Sequence, residues 1–179
     1  MQRWVRTVAA TAAAMLALAL AAGCTPTPEP TPTPTGFASD AEAFRAAEET
    51  YRAYVDALNQ VDLADPKTFE PVFAWTTGDI NASDRSGLSE YHANRVTVKG
   101  ESVVAKVAPL LPFDGDTMAI ATCLDVSTVD VRDVNGSSLV DPGRTPIQSL
   151  RVSLTEDSSS PTRLLIAEIE GRAGEPTCE

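Results

Sequence analysis

The sequence predicts an α+β domain over residues 37–179, on three observations. An apolar stripe at spacings of three and four opens the region. From Arg95 onward the apolar period falls to two, and the two regimes do not interleave. Helices first and then turn-connected strands place the helices on one face of an antiparallel sheet.

Asp40 to Val61 carries Phe44, Ala47, Tyr51, Val55 and Leu58 on one helical face, with Ser39 or Asp40 as N-cap and acids in the first turn. Asp65-Pro66 pairs a cap with an N1 proline and starts a short helix that Pro71 interrupts; Phe69, Val72, Phe73 and Trp75 are its apolar residues. Ser83 is expected to begin a third helix through Arg95, with Leu88 and Tyr91 on its partly buried side. In the strands that follow, Val96 and Val98 share a face, and Gly100 marks a bulge or bend. Residues 116–127 place Met118, Ile120, Thr122 and Leu124 on one face, and Ala119, Ala121 and Cys123 on the other. Asn135-Gly136 is a hairpin signal. Leu150, Val152 and Leu154 face one way in the next strand, the Ser158–Ser160 segment turns, and residues 163–171 form the last strand before a tail that reaches Cys178.

Ahead of this domain lie two further segments. Arg3 and Arg6 precede an Ala/Leu run ending at Gly23-Cys24, the pattern of a secretory signal too short for a permanent span. Leu20-Ala21-Ala22-Gly23-Cys24 resembles the bacterial lipobox, with Leu20 one place earlier than usual. The resemblance implies cleavage before Cys24 and lipidation of its thiol; the alternative is an ordinary secretory signal with Cys24 a free thiol. Every second residue from Pro26 to Pro34 is proline, so the stretch forms neither helix nor sheet. In polyproline II form it makes a semi-rigid spacer of roughly 30 Å. The expected organisation is a signal peptide at 1–23, lipidated Cys24 with the spacer at 24–36, and one domain at 37–179, on the outer face of the cell membrane.

Without the signal the chain has 12 basic and 25 acidic residues, a net charge of −13. A nucleic-acid binder shows a basic stripe instead, so nucleic acid is excluded as a partner. With Cys24 assigned to lipid, Cys123 and Cys178 remain as a disulfide pair in an oxidising exterior. Two thiols and one distant histidine do not make a zinc site, and no metal is expected.

A long helix ending in Tyr51-Arg52-Ala53-Tyr54-Val55-Asp56-Ala57-Leu58, two shorter helical pieces and a four- to six-stranded sheet resemble the nuclear transport factor 2-like fold, a cone. Cys123 to Val140, followed by two strands and a near-terminal cysteine, resembles actinobacterial envelope lipoproteins of that fold. The resemblance implies a cavity inside the cone and a homodimer formed through the sheet. It does not supply an activity, because the fold hosts isomerases, dehydratases, binding modules and scaffolds.

The candidate chemistry is sparse. His92, the sole histidine, is the candidate general acid or base, with Glu90, Tyr91 or Tyr51 as helpers. Adjacent helix positions face different ways, so these cannot all line one pocket. Asp79, Asn81, Ser83 and Glu90 fall at EF-hand positions 1, 3, 5 and 12, but position 6 is Asp84 where the loop needs glycine; an ordinary loop and N-cap is expected there. Asp125, Asp130 and Asp133 read as solvated hairpin residues, and Trp75, Tyr91 and Phe113 as core or cavity lining. No Ser/His/Asp order, glycine-rich phosphate loop or cofactor signature is present. The sequence therefore points to a non-enzymatic, membrane-anchored protein that binds a small apolar ligand or an envelope protein. An isomerase- or dehydratase-like enzyme and a structural accessory remain as alternatives.

Overall fold

The computed structural model describes residues 36–113 and 117–178. The predicted signal, Cys24 and most of the spacer lie outside the described residues. Helix α1 spans Asp40–Asn59, capped by Ser39, whose hydroxyl accepts the Glu42 amide. Its buried face is broader than a simple stripe: Thr50 and Tyr54 join Ala47, Tyr51 and Val55, while Phe44 and Leu58 are only partly buried. Thr50 can be buried because its hydroxyl bonds the Ala46 carbonyl at 2.7 Å and the Thr162 hydroxyl at 2.6 Å. A 3₁₀ turn at Pro66–Phe69, capped by Asp65, runs into the one-turn helix α2, Glu70–Phe73. Pro71 does not break this segment. It lies at the start of α2, where its missing N–H costs nothing.

Helix α3 spans Gly78–Ala93, five residues earlier than the start expected at Ser83. Thr77 is its N-cap but makes no side-chain bond. The would-be loop Asp79–Glu90 is therefore helical throughout, which removes both the calcium-loop spacing and the ordinary-loop reading.

Among the described residues six strands follow: β1 Thr97–Lys99, β2 Val103–Pro109, β3 Thr117–Asp125, β4 Asp130–Arg132, β5 Ile147–Glu156 and β6 Leu164–Gly171. They form two sheets, an antiparallel β2-β3-β5-β6 sheet and a separate β1-β4 ribbon. Register shifts near Ala105 and Ala167 mark bulges that bend both edge strands. Met118 pairs with Leu154 and Ile120 with Val152, so four fully buried side chains meet the stripe of α1. This is the α+β arrangement expected, with N-terminal helices closing one side of a curved antiparallel sheet.

One local expectation changes, the shared face of Val96 and Val98, and two others gain detail. Both faces of β3 are buried, because the C-terminal tail lies over Cys123 on the far side and the other residues there, Ala119 and Ala121, are small. Val96 is buried ahead of β1, whereas Val98 is half exposed. Asn135-Gly136 closes a turn in which the Gly136 N–H donates to the Asp133 carbonyl, with Gly136 at φ 83°. The arms of this short hairpin are joined by an antiparallel bridge, Arg132 to Ser138, with the Asp133 N–H donating to the Ser137 carbonyl and the Leu139 N–H to the Val131 carbonyl, and β4 also pairs with β1.

Candidate functional site

The end of α1, the link after it, α3 and the β1-β4 ribbon enclose a cleft of about 260 Å³. Leu58 and Val61 close one side, because the apolar stripe of α1 continues past the helix end. Leu88 and Tyr91 enter from α3, three positions apart on one helical face. Val98 and Val131 are paired across the ribbon and form the third wall. Asn59 also lines the cleft, but its amide is already used: Nδ2 donates to the Ser102 carbonyl and Oδ1 accepts the Ser102 N–H, both at 2.9 Å. The lining is thus mainly aliphatic, with the Asn59 amide, the Tyr91 phenol and Ser102 as its polar groups.

His92 stands outside this cleft. Its Nδ1 lies 2.7 Å from the Leu63 carbonyl, so that nitrogen carries the proton, and its ring meets the Phe69 ring edge-on at 6.3 Å. The contact ties α3 to the link after α1. Tyr51 is in the core and Glu90 is exposed, so neither helps His92 there. Phe113 is core as well, and Trp75 packs against the core from its margin. Of the acids considered, Asp130 pairs with Arg132 at 2.7 Å. Asp125 and Asp133 are held below the usual carboxylate range, by hydrogen bonds from Ser127 and from Ser137 respectively. They are turn-forming residues, and no group of three or more potential metal ligands occurs among the described residues.

A contact that the sequence did not suggest lies between α1 and α3. The Tyr54 hydroxyl donates to Asp84 Oδ1 at 3.1 Å, and Asp84 Oδ2 is buried without a partner. Burial pushes the Asp84 carboxyl above its ordinary range, against the opposing bonds of Tyr54 and Thr76. Burial, and next the adjacent Asp84 charge, also raises the Tyr54 phenol, and burial pushes Tyr51 up to about 12. Asp84 does not line the cleft. Thirty residues separate the partners, and no local periodicity signals such a pair.

The disulfide joins Cys123 to Cys178, with Cα atoms 5.4 Å apart. Arg172 arranges the tail that makes this reach. Its guanidinium donates to the carbonyls of Gly174 and Glu175, each at 2.8 Å, and to that of Pro176.

No family model matches the sequence, and no curated protein matches it either. Solved structures of similar shape exist. The intermembrane space region of the chloroplast protein ARC6 is 13% identical, over 73% of this chain and 97% of that one, with a TM-score of 0.50. CagV, a VirB8 homologue of the T4SS of Helicobacter pylori strain 26695, is 6% identical over 70% and 95%, with a TM-score of 0.46. The periplasmic domain of DotI is 12% identical over 78% and 99%, also at 0.46. At such identities the likeness to the ARC6 region is one of fold, and any activity has to be argued from this chain's own cleft.

Proposed function

We propose that this chain is an exported, lipid-anchored envelope protein whose domain at 37–179 binds a small apolar ligand in the α1–α3–ribbon cleft. Cys24 is the lipid site, and residues 24–36 hold the domain off the membrane. The Cys123–Cys178 bridge supports an oxidising, extracytoplasmic location. The observation that carries the binding reading is the cleft lining, in which aliphatic side chains predominate and the Asn59 amide is bonded to the Ser102 backbone. A ligand of matching chemistry buries apolar surface there. The volume is slightly below the range of about 300–1,000 Å³ usual for ligand pockets, which favours a small molecule over a cofactor.

Recognition is favoured over turnover because His92 is bonded to a backbone carbonyl outside the cleft. A second reading, an envelope protein as partner, rests on the apolar residues that the ribbon region exposes, Val134 at 62% and Leu139 at 51%. The two are separated by a neutral apolar probe, N-phenyl-1-naphthylamine, titrated into the full chain carrying Cys24→Ser. Saturable one-site binding that Leu88→Trp abolishes supports the ligand. Binding unchanged by Leu88→Trp, or none, sinks it in favour of the protein partner.

A further inference from the structure

We propose that α3 is a proton-controlled flap over the apolar cleft, latched to α1 through the Tyr54–Asp84 contact. Among its sixteen residues none is fully buried. Ile80 and Leu88 pack only partly on the core, so the apolar adhesion that seats most helices is weak here. Polar pins do much of the holding. Asn81 Nδ2 donates to the Phe73 and Thr76 carbonyls at 2.9 and 3.1 Å, Tyr54 holds Asp84, and His92 meets Leu63.

The middle pin has two states. Protonated, Asp84 accepts from Tyr54 at Oδ1 and leaves no buried charge. Ionised, it holds a buried carboxylate oxygen without a protein partner, which is costly unless the helix moves to let solvent in. The Tyr54 and Thr76 hydroxyls favour the ionised form but do not outweigh its burial. From α1 Asp84 faces the Tyr54 phenol, with Tyr51 behind it, and both stay protonated because burial raises them. Thr76 faces it from the link before α3. Arg85, its neighbour on α3, is turned away onto the Phe73 ring at 4.0 Å and Asn81 Oδ1 at 2.9 Å, and Glu70 of α2 lies 3.9 Å from that arginine. On β6, Ile166 and Ile169 pair with core residues of β5, while Glu168 and Glu170 share a groove with Asp79 and Ser83 of α3 and with Arg151 of β5, which pairs with Glu170 at 3.6 Å.

Leu88 and Tyr91 follow Asp84 at i+4 and i+7, on the same helical face. A displacement of α3 at Asp84 therefore carries both cleft-lining side chains with it. The seated helix binds the proton more tightly than the displaced one, so by linkage acid closes the flap and rising pH opens it. The meaning of this for binding rests on the cleft being the ligand site, but the latch itself is measured without any ligand.

Hydrogen exchange of the full chain carrying Cys24→Ser, between pH 4 and 8 and corrected for intrinsic rates, reads the latch directly. Protection of α3 amides should fall several-fold as the pH rises, up to tenfold for each unit by which seating displaces the Asp84 pKa. In Asp84→Asn, which carries no charge, the fall should vanish; an equal fall in both proteins overturns the proposal. Should that variant fail to fold, Tyr54→Phe decides. It removes a bond that favours the carboxylate, so the midpoint should move to higher pH, and an unmoved midpoint overturns the latch. N-phenyl-1-naphthylamine affinity is read separately: its failure to bind at any pH counts against the ligand site alone.

Discussion

Gly100 and Thr128 are in backbone contact so close that a Cβ on Gly100 would lie 2.0 Å from the Thr128 carbonyl oxygen. Gly100 also has φ 82°, and it is where the chain leaves the β1-β4 ribbon for the main sheet. Gly100→Ala should cost about 3 kcal/mol or more, since a left-handed alanine adds about 1–2 kcal/mol to a clash that only backbone movement can relieve. Gly87, inside α3, supplies the contrast, because a Cβ there would meet nothing within 4 Å. Gly87→Ala should stabilise by up to about 1 kcal/mol. Urea midpoints of the two variants check both signs.

Asp84 and the turn aspartates should act on stability in different pH windows. A folded pKa raised above the unfolded value of about 3.9 means that the protonated acid favours the fold. That contribution is full below about pH 4 and is lost as the pH rises through the raised value. Asp125, Asp133 and Asp157 have lowered values, so theirs is present above about pH 4 and lost as the pH falls through those values. Wild type should therefore lose stability relative to Asp84→Asn as the pH rises from about 4. Parallel stability curves from chemical denaturation across pH 3–8 would contradict this.

Much of the fold was legible because its signals are local. The spacing of Ala47, Tyr51 and Val55 and the alternation from Met118 to Leu124 each report a periodicity within one element. The start of α3 was not legible for the same reason. Gly78, Asp79 and Asn81 are poor helix formers, and Asn81 is helical because its amide is fixed by the Phe73 and Thr76 carbonyls. The cleft was hidden further still. Its walls come from Leu58, Leu88 and Val131, which no sequence window contains together, and the Asn59–Ser102 amide pair spans 43 residues. The cysteine pair was readable because the lipobox resemblance assigns Cys24 elsewhere and leaves two thiols to pair.

Cys24→Ser should release the protein from the membrane fraction, or leave an uncleaved precursor. Two acyl chains or more give stable anchoring, and in the proposed function they are attached through Cys24. Fractionation with intact-mass measurement reads both outcomes. Unchanged retention with normal processing would remove the lipid anchor from the proposed function.

His92→Ala should leave N-phenyl-1-naphthylamine affinity within a factor of about two, because the imidazole lies outside the cleft and its bond is to the Leu63 carbonyl. The stability cost should be about 1 kcal/mol, the net value of one such hydrogen bond. A folded variant with normal probe binding but a lost cellular phenotype would instead point to chemistry at His92.

The tail depends on Cys178 and on Arg172 together. The bridge spans 55 residues, for which the chain-entropy model gives about 4 kcal/mol. Cys178→Ser or reduction should then lower the melting temperature by about 10 °C. Arg172 bonds the Gly174, Glu175 and Pro176 carbonyls, and its backbone N–H donates to the Ser149 carbonyl at 2.9 Å. With the bridge intact, Arg172→Ala should cost about 2 kcal/mol, since losing the charged donor leaves several carbonyls unpaired. Without the bridge the tail frays, those carbonyls meet water, and the same substitution should cost markedly less. A double-mutant cycle on Arg172→Ala and Cys178→Ser should therefore show a coupling of about 1 kcal/mol. Strict additivity would mean that Arg172 orders the tail by itself and that the disulfide only secures a structure already formed.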